Sequence, residues 1–162
     1  MASSTREMDR ALKRLYDRLP PMDCKGLCWH WCSTVETSVR ERERAEQRAG
    51  RALKYDPTRG VCSMLDEHGR CSVHEVRPLV CRLWGMTERM RCQYGCVPEG
   101  GFVSDSEERA LFREARRIGG VPPDRQEKRR RYEIEHEHHV QLWSRVSYRE
   151  AADALRNRRL PR

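Results

Sequence analysis

Amphipathic helical periodicity in several segments, two short apolar runs around a turn, and eight cysteines in a chain poor in large aliphatic residues predict a mainly α fold with a short β-hairpin. The expected form is a small cysteine-cluster domain stabilised by metal, with a helical C-terminal extension. Leu, Ile, Val and Phe number only 27 of 162 residues while 36% of the chain is charged, below the roughly one-fifth aliphatic content at which chains usually fold on apolar burial alone. Something besides hydrocarbon must hold such a chain together, and bound metal can supply folding free energy that a thin core cannot. The length allows one domain with extensions, divided as a packing helix over 1–22, a cysteine-cluster metal-binding domain over 23–103, and a basic helical extension over 104–162.

Residues 4–19 place Met8, Leu12, Leu15, Tyr16 and Leu19 on one helical face, with Ser4 or Thr5 as the cap, and Pro20-Pro21 ends the helix. The run Cys24-Lys-Gly-Leu-Cys28-Trp-His-Trp-Cys32 steps by four, so a helix there would put three sulfurs on one face. A radical-SAM cluster motif needs a shorter last step, so that chemistry is not inferred. His30, between Trp29 and Trp31, reads as a packed or surface histidine rather than a ligand. From Ser33 to Lys54 the sequence is charged, with Ser33 and Glu36 spaced as a capping box and Val35, Val39, Ala49 and Leu53 as a thin seam. It reads as a solvated connecting helix.

Asp56–Gly60 is a turn, and Val61–Leu65 and Cys71–His74 read as two short strands around Asp66–Gly69. Glu75-Val76-Arg77-Pro78 then leads into a short helix through Cys81, Arg82 and Trp84, with proline at its start. Glu75 and Arg77 read as an ion pair that fixes the turn; a second reading puts Arg77 or Arg82 beside the metal, compensating thiolate charge or holding an anion. Gly85–Cys96 is loop carrying Cys92 and Cys96, which either close a metal site or form a redox pair. Ser104 to Glu108 opens a helix with Ala110, Leu111, Ala115 and Ile118 on its apolar face, stopped at Gly119-Gly120. Beyond it, residues from Arg125 onward hold 11 basic and 6 acidic groups, which is +5 of the formal +8. Lys128, Arg129, Arg130 and Arg131 are candidate nucleic-acid contacts, with Tyr132 or Trp143 available to stack on bases. His136 and His139 read as a solvated face among glutamates, and Ser147–Glu150 as the cap of a last short helix.

One stretch carries a resemblance. Cys62, Leu65, Gly69, Cys71, Val73, Glu75, Arg77, Pro78, Cys81 and Arg82, with Trp84 at the aromatic site and Cys24, Cys28 and Cys32 upstream, resemble the zinc- or iron-chelating cysteine-cluster family (YkgJ-like, CxxCxxCC type). Its signature reads Cys-x-Ile/Val-Tyr-Glu-x-Arg-Pro-x-x-Cys-Arg, and the similarity covers roughly residues 24–96. His74 stands where the family usually has Tyr, and Cys32 lacks the adjacent second Cys of many members. The resemblance implies a metal or iron–sulfur site; a flagellin lysine methylase contains a similar cluster.

Cys24, Cys28, Cys32, Cys62, Cys71, Cys81, Cys92 and Cys96 are therefore the candidate metal ligands, supported by Glu75, Arg77, Pro78 and Arg82. The N-terminus has no apolar leader and no run of about 18 apolar residues occurs, so the expectation is a cytoplasmic chain with no membrane partner, in whose reducing surroundings clustered thiols are ligands or catalysts rather than disulfides. The thiols suit an iron–sulfur cluster or zinc; the absence of any Cys-x2-Cys knuckle, together with the resemblance, tilts the choice towards iron. Expected roles are redox, cluster-handling or protein modification, with a zinc-stabilised interaction module or a nucleic-acid-binding regulator as alternatives. A protein partner is compatible with either. No acid–base pair, phosphate loop or nucleophile triad stands out, so enzyme chemistry would have to run through the metal.

Overall fold

The computed structural model describes residues 4–33 and 36–122. The fold is mostly helical with one two-stranded antiparallel hairpin, as the sequence predicts. Helix α1 spans Thr5–Tyr16, α2 Val39–Ala49, α3 Leu79–Leu83 and α4 Asp105–Gly119; strands β1 and β2 are Tyr55–Asp56 and Val61–Cys62.

Local chemistry sets the helix starts. Ser4 accepts the Glu7 N–H while the Glu7 carboxylate takes the Ser4 N–H, a complete capping box. Ser104 does half of this for α4 by accepting from Glu107. The expected box at Ser33 and Glu36 lies five residues early. Ser38 and Glu41 form it instead, and α2 ends on Gly50 in the left-handed region, φ 64°.

Two apolar clusters organise the described chain. The first joins Leu12, Leu15 and Tyr16 of α1, Leu79 and Leu83 of α3, Leu111 and Ala115 of α4, and Met86 and Val103 from the connecting loops. The second is smaller: Ala45, Leu53, Cys62, Met64 and Val73, with Cys32, Ala49, Cys71 and Val76 against it.

Helix α2 departs from the solvated connector its composition suggests, because Arg40 and Glu41 are buried. Arg40 grips Asp9 of α1 through two 2.8 Å bonds and also reaches Glu43. Glu41 is 2% exposed and fully engaged. One carboxylate oxygen accepts from the Tyr16 hydroxyl at 2.8 Å and the Leu79 N–H at 2.7 Å; the other accepts from the Ser38 N–H and hydroxyl. One buried acid thus ties α1, α2 and the start of α3 together. Charge patterning misleads here because a carboxylate with four donors is buried without being unsatisfied.

The hairpin sits one turn earlier than expected. It closes over Asp56–Gly60, pairing Tyr55 with Cys62 and Asp56 with Val61. Asp56 nucleates this turn by accepting the N–H groups of Thr58 and Arg59. Asp66 organises the next turn in the same way through His68 and Arg70, but the flanking segments meet only in a single bridge, Leu65 to Cys71. The expectations for Val35, and for Lys128–Arg131, Tyr132, His136, His139, Trp143 and Ser147–Glu150, fall outside the described residues. No helix among the described residues is long and apolar enough to cross a membrane.

Candidate metal centre

The first cysteine triplet does not share a helical face. Gly26 adopts a left-handed φ of 66°, which an α-helix cannot continue through, and only one 3-10 turn, Trp29–Trp31, forms between Cys28 and Cys32. The thiols consequently part company. Cys24 and Cys28 neighbour Cys92 and Cys96, and Cys32 neighbours Cys62, Cys71 and Cys81; Cys28 also acts on Cys32, so the two sets adjoin.

The outer group, Cys24, Cys28, Cys92 and Cys96, is built from loops. Pro21 O accepts from Glu99 N at 2.9 Å and Tyr94 O from Lys25 Nζ at 3.3 Å, while the Tyr94 hydroxyl meets His30 Nε2 at 3.4 Å. His30 is thereby engaged in a ring cluster with Trp29, Trp31 and Tyr94. Burial and the Cys24, Cys92 and Cys96 thiols push Cys28 above the ordinary thiol value. Burial also opposes ionisation of Cys92, but the N–H groups of Cys96 and Tyr94, the Cys96 thiol and Lys25 outweigh it and hold Cys92 below that value. Cys96 accepts the Lys25 N–H, which favours its thiolate, yet burial and the Cys92 and Cys24 thiols leave it raised.

The inner group is built from regular elements and backed by apolar side chains. Cys62, on β2, donates its N–H to Cys32 O at 2.8 Å and accepts the Met64 N–H on sulfur at 3.5 Å. Cys71 is placed by its bridge to Leu65, and Cys81 by α3. Burial, then Cys62, Cys28 and Cys71, push the Cys32 thiol up to about 12 against the opposing charge of Arg77. The Cys81 thiol is pushed up further, by burial and then by Cys32, Cys62 and Cys71, although the residue keeps some exposed surface. Cys62 is raised by burial and Cys71, with the Met64 N–H, Arg51 and Arg59 opposing. Cys32, Cys62 and Cys81 each resist ionisation beside one another, and a bound dication reverses that balance.

All eight donors are soft sulfur, the set that zinc and iron take. Among the described residues no three His, Cys, Asp or Glu side chains stand in ligating geometry. The two groups are thus neighbourhoods of sulfur rather than finished coordination spheres.

The residues around Cys81 divide their tasks differently from expectation. Pro78 caps α3 with an extended backbone. Glu75 and Arg77 do not pair: Glu75 reaches Arg48 at 3.7 Å, and Arg77 Nη1 donates to His74 Nε2 at 2.8 Å. Their side chains diverge because Glu75 lies in a 3-10 turn while Arg77 is its extended C-cap. A guanidinium can only donate, so His74 is neutral with its proton on Nδ1; burial and the charges of Arg77 and Arg82 lower its pKa accordingly. Arg82 fixes the turn, donating to the carbonyls of Arg77 and Glu75 at 3.0 and 2.6 Å while stacking over the Tyr16 ring at 4.3 Å. The charge of Arg77 bears on Cys32 and Cys81, and that of Arg82 on Cys81.

Sequence reading missed Glu41 and Tyr16 as supports of this region, and the contact of Gly69 with Trp29. A Cβ built at Gly69, φ 73°, would come within 2.7 Å of the Trp29 ring, so the glycine there is a close approach as well as a turn. The only signal for Glu41 was its spacing from Ser38.

A family model, CxxCxxCC, described as a zinc- or iron-chelating domain, matches residues 23–106. Comparisons with curated proteins and with solved structures give no match.

Proposed function

Because this chain belongs to the CxxCxxCC family of zinc- or iron-chelating domains, we propose that its eight thiols bind metal as two four-sulfur centres: an outer one of Cys24, Cys28, Cys92 and Cys96, and an inner one of Cys32, Cys62, Cys71 and Cys81. What supports this reading is the bonding that gathers the sulfurs: Glu99 N–H on Pro21 O, Lys25 on Tyr94 O and Tyr94 on His30 draw the outer loops together, and Cys62 N–H on Cys32 O joins the inner ones. A bound ion supplies cross-links between elements that share little hydrocarbon, so binding free energy becomes folding free energy. Arg77 beside the inner thiols and Lys25 beside the outer ones offset the negative charge that four thiolates leave around a dication.

Zinc, one ion per group, is the identity the division supports best, since closed four-thiolate sites are its common structural form. The chain is then a metal-stabilised module that handles or displays its ions to a partner. An iron–sulfur cluster is the second reading, favoured by the lack of Cys-x2-Cys knuckles, and would bring electron transfer, cluster delivery or a modifying reaction with it. Nucleic-acid binding through Lys128–Arg131 has only its charge in support; loss of retention on nucleic acid with rising salt would sustain it.

Anaerobic purification with metal and acid-labile sulfide analysis tests the main reading. Two zinc per chain without sulfide is the expected result. Iron with sulfide and a broad visible band would install the second reading, and a folded chain holding no metal would overturn both.

A further inference from the structure

We propose that the outer group is an exchange site, whose Cys24, Cys28, Cys92 and Cys96 take up a thiophilic cation such as zinc and pass it to a thiol-bearing acceptor, while the inner group retains its own. This rests on the reading of both groups as metal centres and assigns them different work.

Access differs first. Cys24 is exposed, whereas no inner cysteine is; Cys28 and Cys92 are half-buried like Cys32, Cys71 and Cys81, and Cys96 is buried like Cys62. Attachment differs as well. Cys62 belongs to an apolar cluster that Cys32 and Cys71 pack against, and Cys81 lies between Leu79 and Leu83 of the other cluster in α3. No outer cysteine belongs to either cluster. Opening the inner group therefore breaks into the apolar clusters, and opening the outer one breaks loop hydrogen bonds and the His30–Tyr94 ring contact.

The outer loops also have room to open. Gly26 lies between Cys24 and Cys28, and Gly95 between Cys92 and Cys96; both are exposed, both have positive φ, and neither has a non-neighbouring atom within 4 Å of where a Cβ would stand. A site that releases its cargo by local opening needs such sparsely packed backbone. Lys25 lies between the two outer pairs, with its N–H on the Cys96 sulfur and its ammonium on Tyr94 O.

Transfer requires no oxidant or reductant. Each sulfur–cation bond broken on the outer thiols is replaced by one from an acceptor thiolate, the cation keeps its charge, and each freed thiolate takes a proton from water.

The test uses the full chain loaded with zinc and mixed with an excess of a chromogenic zinc chelator, with far-UV circular dichroism recorded alongside. Two release phases of about one equivalent each are expected, the first at least about tenfold faster and without loss of helicity, because it needs only local opening. Cys24→Ser, at the exposed position, and the double variant Cys92→Ser/Cys96→Ser should each lose the fast phase and keep the slow one. Two equivalents released in a single phase would overturn the exchange role while leaving both centres standing, as would a fast phase that survives in both variants or accompanies unfolding. A wild-type chain that takes up no zinc would remove the centres themselves.

Discussion

The two apolar clusters hold their regions by different means. On one side Leu12, Leu15, Leu79, Leu83 and Leu111 make an ordinary hydrocarbon core among α1, α3 and α4. On the other, the apolar cluster is Ala45, Leu53, Cys62, Met64 and Val73, and one of its five members is itself a candidate ligand. The low aliphatic content of the whole chain is thus an average over unlike regions. One region could fold on leucine alone, whereas the other has too little to bury and relies on sulfur chemistry.

Metal removal should break the comparison most sharply. Under strong chelation and reduction, the tryptophan signal around Trp29 and Trp31 should change and the cysteine region should lose on the order of several kcal/mol, while the helicity of α1 and α4 persists. Cys62→Ser should do the same from one position, read by metal content. Complete loss of helical dichroism in either case would show that leucine packing alone does not sustain the first region.

Leu83→Ala comes next, expected to cost about 2–5 kcal/mol because Leu83 is wholly buried among large neighbours. Urea titrations with and without chelator should give the same loss. Glu41→Ala sharpens the contrast from the middle, since it strands the Leu79 N–H and the Tyr16 hydroxyl at roughly 1–3 kcal/mol. Its signature is the splitting of one unfolding transition into two. Ser104→Ala should take about 1 kcal/mol from the helical region and leave metal content untouched.

The smallest effect is in pH. The Arg40 guanidinium, through its hydrogen bonds, holds Asp9 below the ordinary carboxylate value. The native state therefore binds this proton less readily than the unfolded chain does. The stability from the pair is complete above about pH 4 and lost as pH falls through the lower folded value. Melts of wild type and Asp9→Asn should converge in acid.

Legibility in the sequence followed how local the cause was. The caps of α1 and α4, the face of Leu12, Leu15 and Tyr16, and the proline start of α3 depend on neighbours within a turn, and periodicity and spacing revealed them. The hairpin was legible but misregistered, because two aspartate turns follow each other and nothing local says that Asp56 closes a ladder while Asp66 closes a single bridge. The break in the run from Cys24 to Cys32 was hidden for another reason: a four-residue step suggests a helix, and one left-handed glycine cancels it. Glu41 was read as solvent-facing because its partners Tyr16 and Leu79 are 25 and 38 residues distant.

The contact between α1 and the rest also governs how this protein can be dissected at the bench. The family match begins after α1 and ends at the second residue of α4, so a fragment cut to residues 23–106 would keep Leu79, Leu83 and Met86 but strip away the leucines that cover them. Such a fragment should come out of cells in inclusion bodies, and its failure would say nothing about whether the cysteines bind metal.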